Sequence, residues 1–425
     1  MILSFFKKII SSELFKISSL NSINVFTKIG VGLITSKILA IYVGPSGMAL
    51  IGNFRNFLAS FDSISSLGFQ NGIIKYVTEN KESSYELKKI FSTLFLCIIG
   101  VSVFFGILLF CFADYWNSIV FDGYDFSYLF KILGFISPLY ISSIYLNAII
   151  NGLGEFKKIM YINIIGNITG LLITIFFVLK YNVFGAVLSI IIAPSLLFFV
   201  SLYFLVSKLS LLKHISIKIF DLKLIKNLLH YFLMALVSGV LGPLVMLLIR
   251  NNLIENQGID QAGYWEAMSR ISSYYLLFMN TLLTVYYYPK LVSAQNSVET
   301  RDVLYDFYKK VLPIFGIGLI LLFLLKDILI SILFTEDFKP VSQLFFWQII
   351  GDFLKTISWI LALQFFAKKM TKAFIITEVF SLSILLVSSF CFTSFFEVEG
   401  VVLAHAFTYF IYTIVLGIYF RRCLF

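Results

Sequence analysis

Long apolar runs alternate with short polar connections along the whole chain. With about 20 apolar residues as the length of one bilayer crossing, the runs predict twelve spans, at about 18–43, 46–74, 89–113, 128–151, 159–180, 184–206, 228–254, 263–288, 311–333, 341–366, 373–395 and 401–420. Connections after the odd-numbered spans are short, and the longest of them, Asp114 to Ser127, is acidic and aromatic. Between spans six and seven lies the most basic connection, Ser207 to Asn227. It reads as a cytoplasmic linker at 207–227 between an N-terminal six-helix bundle, 1–206, and a C-terminal one, 228–425.

A chain built of two related halves repeats itself at one offset. A shift of 215 residues lays Arg55 on Arg270, Lys75 on Lys290, Lys157 on Lys372, Gly185 on Gly400, Val187 on Val402 and Leu188 on Leu403. The offset holds from the second span of each half to the sixth. Because six is even, both halves share one orientation, a parallel repeat about an axis along the membrane normal.

Composition agrees. A hydrophobic share of 59%, 13% charged residues and a mean hydropathy of +0.94 exclude a soluble domain of this size. The expected fold is an all-α membrane protein of about twelve transmembrane helices in two six-helix bundles. A net charge of +10 would suggest nucleic acid in a soluble protein, but the charges follow the topology: 23 Lys and Arg fall in the connections of one side, and Lys131, Lys180, Lys326 and Lys339 in those of the other. Basic connections stay in the cytoplasm, so both termini are expected there and no nucleic-acid partner is. The first residues, MILSFFKKIISSELFKI, lack a small-residue cleavage site and read as an interfacial helix. Cys97, Cys111, Cys391 and Cys423 have neither metal-site nor disulfide spacing, and no metal is expected.

Ten ionisable side chains remain at membrane depth: Lys28, Lys37, Arg55, Arg250, Arg270 and Lys355 against Asp62, Glu266, Asp352 and Glu378. A cation costs roughly 2.5–3.5 kcal/mol there on insertion scales, so such groups face a water-filled cavity, a counter-ion or an anionic ligand. Three of the cations sit between Lys28 and Asn56, on two spans joined at Gly44, Pro45 and Gly47. The first half holds three cations to one anion and the second three to three, so an anion-attracting potential is expected toward the first half.

Spacing then separates paired from unpaired groups. Glu266 and Arg270 stand four apart, Asp352 and Lys355 three apart, each within ion-pair reach on one helix face. Either pair is a self-neutralising structural element or part of the site. Arg55 and Asp62 share a face but lie about 10 Å apart along the axis. Lys28 and Lys37, nine apart, point to opposite sides of a straight helix, so either the helix distorts near Gly30 and Gly32 or one lysine snorkels. Arg55 and Arg250 have no partner in the sequence nearby, and a guanidinium suits phosphate; with Lys28 they are the leading candidates for an anionic head group. Glu378 either protonates, pairs across helices or binds a coupling ion. His405 is either a hydrogen-bonded structural residue or a proton relay. Tyr286, Tyr287 and Tyr288 beside Pro289 suggest an interfacial belt, and Tyr264, Trp265, Tyr274 and Tyr275 either pack between helices or stack on sugars.

Motifs run in order along almost the whole chain: KIG, LA and GP between Lys28 and Pro45, NFR at Asn53 to Arg55, NG and KYV within Asn71 to Val77, GYW at Gly263 to Trp265, PKL at Pro289 to Leu291, WQ, GD and K within Trp347 to Lys355, and TEV at Thr377 to Val379. With these the chain resembles the Wzx-type flippases of lipid-linked oligosaccharides, most of all their O-antigen and enterobacterial-common-antigen branch, in the exporter superfamily that also contains multidrug antiporters. The resemblance places Lys28, Lys37, Arg55, Arg250, Asp352, Lys355 and Glu378 on positions where that pattern also carries charge; Asp62 and the Glu266 and Arg270 pair stand outside it. It implies a V-shaped pair of six-helix bundles and a substrate of undecaprenyl pyrophosphate bearing a sugar repeat unit. That substrate would move from the cytoplasmic to the periplasmic leaflet of the bacterial inner membrane by alternating access. It also implies the polymerase and chain-length regulator of the same pathway as partners, beside membrane lipids.

The expected site is thus Lys28, Lys37, Arg55, Arg250 and Arg270 for substrate, with Asp62, Glu266, Asp352, Lys355 and Glu378 for coupling or gating. No nucleotide-binding loop is present, so the drive is expected from a proton or other ion gradient, or from consumption of product, and no cofactor is expected. Two alternatives stand beside this reading: a multidrug antiporter, which would need a carboxylate-led cavity, and a membrane enzyme such as an oligosaccharide polymerase, which would need a larger extramembrane loop than this chain has.

Overall fold

The computed structural model describes residues 13–121, 123–206, 219–229 and 236–424. The interfacial helix expected at the N-terminus, up to residue 12, and linker residues 207–218 lie outside the described residues. The described chain is helical, with no strand among the described residues.

Two helices, α1 (Glu13–Tyr42) and α2 (Gly44–Ser65), form the first hairpin about Gly44, whose φ of 68° is one that side chains disfavour. There follow α3 (Phe69–Glu79), α4 (Ser84–Cys111), α5 (Ala113–Val120), α6 (Ser127–Gly152) and α7 (Phe156–Val206). Non-helical φ and ψ at Asn182 break α7 into the two spans that the sequence predicts. Most of α8 (Leu222–Leu229) lies inside the stretch read as linker, 207–227, and after it come α9 (Gly242–Gln257), α10 (Ile259–Leu282), α11 (Tyr288–Ser293), α12 (Ser297–Lys310), α13 (Leu312–Leu324) and α14 (Lys326–Leu333). The chain ends with α15 (Val341–Ala367), α16 (Thr371–Phe396), α17 (Glu399–Tyr419) and α18 (Arg421–Leu424). Eight of the described helical segments are long and apolar enough to cross a bilayer by themselves, α7 with its two spans counting as one.

Three expectations need correction. The second span stops at Ser65, because Leu67 (φ 50°) and Gly68 (φ 60°) turn the backbone before α3 begins. Span nine is two helices, α13 and α14, parted at Leu325, and α12 precedes it, where Asn296 accepts from the Glu299 amide and Glu299 reaches back to the Gln295 amide, a reciprocal cap. The connection from Asp114 to Ser127 contains most of α5.

The backbone itself carries the repeat. Left-handed or related φ values occur at Gly154 (78°) and Lys369 (57°), and again at Asn182 (51°) and Glu397 (50°), each pair at the offset of 215. A Cβ on Gly185 would fall 1.9 Å from the Phe177 carbonyl oxygen, and one on Gly400 would fall 2.5 Å from that of Phe392. Only glycine admits so close a return of the chain after each of these turns.

The helices gather into two compact units: one of residues up to Thr35 with Phe57–Val240, the other of Ser36–Asn56 with Leu241–Phe425. In the first unit Phe57 and Phe61 of α2 pack edge-on against Phe130 and Phe105, and α6 lies along α4 and α7. The second is centred on α15 and α17, with Phe334, Phe338, Phe345 and Phe365 fully buried.

Candidate functional site

The charged residues of the second unit form two clusters. α9 and α10 are joined at Gly258, whose φ of 94° permits the reversal. Arg250 and Glu266 are each eight residues from that turn and so stand at one depth. Glu266 is 6% exposed and Arg250 3%; Arg250 donates from Nη2 to Glu266 Oε2 at 2.8 Å. Arg270, one turn further along α10 and equally buried, donates from Nε to Oε1 at 3.1 Å. Arg55 reaches the same carboxylate from α2, Nη1 standing 3.9 Å from Oε1 with 39% of its side chain exposed.

A notch makes this approach feasible. A Cβ on Gly52 would lie 2.5 Å from Glu266 Oε2 and 2.8 Å from Arg250 Cζ, so the pair presses on the bare backbone of α2. Beside it, Asn53 accepts from Arg250 Nη1 at 3.4 Å and donates to Asn251 Oδ1 at 2.7 Å. The Trp265 ring lies under the Arg250 guanidinium at 4.9 Å.

Charge does not balance here. Among the described residues three guanidiniums share one carboxylate, leaving two positive charges over, and Arg250 Nε and Arg270 Nη2 are buried without a hydrogen-bond acceptor. Buried donors left unpaired are costly and rare. An incoming anion with several oxygens, such as a diphosphate, would supply both charge and acceptors.

The second cluster surrounds Asp352, which is fully buried. Ser272 donates to Oδ2 at 2.6 Å, Tyr275 at 2.5 Å and Gln348 at 3.1 Å, while His405 Nε2 lies 3.0 Å from Oδ1. Gly351 leaves the room for that imidazole, since a Cβ there would meet His405 Cδ2 at 2.3 Å. The ion pair expected between Asp352 and Lys355 is absent among the described residues, because the carboxylate is turned to α10 and α17. Lys355 instead lies over the rings of Trp359 and Tyr409, at 5.7 and 5.4 Å. Glu378, half-buried on α16, acts on Lys355 electrostatically without pairing with it within 4 Å.

The structure thus brings Arg55, Arg250, Glu266 and Arg270 together, and gives Arg55 and Arg250, which have no partner nearby in the sequence, a shared one on α10. It takes Lys37 elsewhere: its ammonium donates to the carbonyl oxygens of Phe334 (2.6 Å) and Ser331 (3.1 Å), closing the C-terminal end of α14. α1 runs unbroken through Gly30 and Gly32, so the opposition of Lys28 and Lys37 is resolved by Lys37 looking away. Lys28 is exposed in the first unit, with no ion pair among the described residues. Asp62, also in the first unit, is hydrogen-bonded to the Tyr140 hydroxyl.

The aromatic candidates are largely structural. Tyr274 bonds Ser36 at 2.8 Å, Tyr264 packs on Phe338, and Tyr287 is buried with its hydroxyl on Asp306 at 3.1 Å. The role of Asn53 and Gly52 escaped the sequence reading, although both lie within one turn of Arg55. Among the described residues no group of His, Cys, Asp and Glu could hold a metal ion.

Comparison with known proteins fits this architecture. The fold is that of a MATE-family multidrug-resistance transporter of the MOP superfamily in its inward-facing conformation, with a TM-score of 0.81 at 13% identity over 92% of this chain and 94% of that one. It is also that of the lipid II flippase MurJ in an inward closed conformation, with a TM-score of 0.70 at 19% identity over 94% and 87%. By sequence the chain is 26% identical over 410 residues, 94% of its length and 96% of the relative's, to the lipid III flippase of Escherichia coli (strain K12), and equally to that of Shigella flexneri. The model of the polysaccharide biosynthesis protein family matches residues 14–295. Two thirds of the chain lie in that match, and the chain belongs to the polysaccharide biosynthesis protein family.

Proposed function

We propose that this protein is a flippase that carries a lipid-linked oligosaccharide across the bacterial inner membrane, with undecaprenyl pyrophosphate as the carrier and an O-antigen-type repeat unit as the sugar. A pyrophosphate with its sugars cannot cross about 30 Å of hydrocarbon unaided. The observation that carries the reading is the arginine cluster: two positive charges beyond what Glu266 neutralises, with unpaired buried donors. Arg55 is the exposed member, placed to meet the pyrophosphate; Arg250 and Arg270, held by Glu266, supply the field behind it. A cavity for cationic drugs would need the opposite balance, which counts against the multidrug alternative despite the shared fold.

The test is flipping of an undecaprenyl-pyrophosphate-linked oligosaccharide in proteoliposomes. Arg55→Ala and Arg250→Ala are expected to abolish it, and an organic cation is expected not to compete. Normal flipping by both variants would sink the assignment.

A further inference from the structure

Away from the two charged clusters, the second unit has a surface that its own packing leaves open. α13 and α17 both lie along α15. α13 meets it at Phe353, whose ring would stand 3.2 Å from a Cβ on Gly316, and α17 meets it at Leu354, whose carbonyl oxygen accepts from Thr413 Oγ1 at 3.2 Å. At about 100° per residue, the strip of α15 between those two contacts carries Phe346, Ile350 and Ile357. Phe346 is 51% exposed and the two isoleucines are half-buried, so the strip is the floor of an apolar groove between two helices. Its walls are apolar as well, with Ile317 exposed on α13 and Ile414 and Ile418 on α17. From Phe346 to Ile357 the floor is about 16 Å long, close to one leaflet of a hydrocarbon core of about 30 Å.

One end of the groove is closed by α12 and α18. The Tyr308 hydroxyl donates to the Ile357 carbonyl at 3.1 Å, which sets the last turn of α12 on the strip. Three residues back, the Tyr305 hydroxyl donates to the Leu424 carbonyl of α18 at 3.3 Å. This closure is cationic. Lys309 lies over the Tyr305 ring at 5.4 Å and is exposed, as are Arg421 and Arg422 on α18. None of the three has an ion pair among the described residues. Lys310, by contrast, is neutralised by Asp306, whose carboxylate also accepts from the Tyr287 hydroxyl, and Lys290 lies over the Tyr286 ring at 3.8 Å. The other acids of α12, Glu299 and Asp302, stand about 15 and 10 Å back along the helix from Lys309.

The two parts of this surface select one kind of occupant. A groove on the flank of a membrane-spanning bundle takes acyl chains, which every lipid has. Three unpaired cations at its end favour a head group with net negative charge, and a zwitterionic head, which brings its own cation, gains less from them.

We propose that the groove on α15 between α13 and α17 is the seat of an anionic glycerophospholipid, with its acyl chains on Phe346, Ile350 and Ile357 and its phosphodiester on Lys309, Arg421 and Arg422. The head group joins α12 to α18 and so steadies the ends of α13 and α17 that adjoin them. Occupancy of the groove does not rest on the flippase reading.

The test is native mass spectrometry of the full-length protein, purified in detergent, with dioleoyl phosphatidylglycerol, dioleoyl phosphatidylcholine or glycerol phosphate added. Phosphatidylglycerol is expected to stay bound as a single molecule and the other two to be lost, since one has the chains without the net charge and the other the charge without the chains. The triple variant Lys309→Gln, Arg421→Gln, Arg422→Gln should bind phosphatidylglycerol about a hundredfold more weakly, at about fivefold for each cation beside an anionic head group. Ile350→Trp fills the groove and keeps the cations; it should weaken binding too, and it serves if the triple variant does not fold. Equal retention of the two lipids, or wild-type affinity in either variant, overturns the proposal. Retention of glycerol phosphate reduces the seat to one for free phosphate and overturns it as well. So does one-for-one displacement by undecaprenyl pyrophosphate at equal concentration, which would give the surface to the carrier lipid instead.

Discussion

Replacing Glu266 with Gln keeps the shape of the side chain and removes the charge that three arginines share. Two of the interactions are buried and close, Arg250 at 2.8 Å and Arg270 at 3.1 Å. The third, Arg55 at 3.9 Å with 39% exposure, is worth only about 0–1 kcal/mol. Breaking a buried pair from one side costs about 3–5 kcal/mol, mostly because the remaining charge is left uncompensated. Glu266→Gln should therefore lose about 3–5 kcal/mol, read as a fall in the unfolding midpoint of the full-length protein in detergent. The cause can be checked separately: adding Arg270→Leu removes one stranded charge and should recover part of the loss. A single variant within about 1 kcal/mol of wild type, or a double variant whose losses simply add, would show that the carboxylate does not organise the cluster.

Gly52→Ala should push Glu266 and Arg250 off α2, at about 1–3 kcal/mol and with weaker binding of the pyrophosphate carrier; shortening the acid by Glu266→Asp in the same protein should partly restore binding. Lys37→Met removes two donors from the last carbonyls of α14 and is expected to cost about 2 kcal/mol of stability while leaving substrate affinity unchanged, since the ammonium serves the helix end; a loss of affinity would return Lys37 to the site. At Asp221 the hydrogen bond from the Lys89 ammonium, at 2.9 Å, holds the carboxyl below the ordinary aspartate range. A depressed folded value stabilises above the unfolded value and is lost as pH falls through the folded one. Hydrogen exchange over Lys223–Leu229, corrected for intrinsic rates, should therefore differ between wild type and Asp221→Asn near neutral pH and converge in acid below about pH 4.

Spans of uninterrupted hydrophobicity were legible almost to the residue: 341–366 is Val341–Ala367, and 373–395 is Thr371–Phe396. Breaks were not, because Leu67 and Leu325 are as apolar as the helices they end and only backbone conformation marks them. The duplication was legible as an offset of residue types and reappears as an offset of strained backbone. Within the site, the Glu266 and Arg270 pair followed from helical spacing, whereas the pairing of Arg250, itself a named candidate, with Glu266 was missed because partners were sought along one helix. Distance from the Gly258 turn would have found it. Around Asp352, Gln348 stands four residues away on the same helix, whereas Ser272, Tyr275 and His405 come from two helices far off in sequence, and no local spacing encodes those.

The Glu266 carboxylate has one more consequence, for how the protein is made. Arg55 leaves the ribosome 211 positions before Glu266. At about 5–20 residues per second that is a delay of roughly 10–40 s, during which the guanidinium enters the membrane without its counter-ion at roughly 2.5–3.5 kcal/mol. The second helix therefore begins life as a poor membrane segment, and its final depth is set only when the tenth arrives. Nascent chains halted before Glu266 should hold Arg55 nearer the water than the finished protein does.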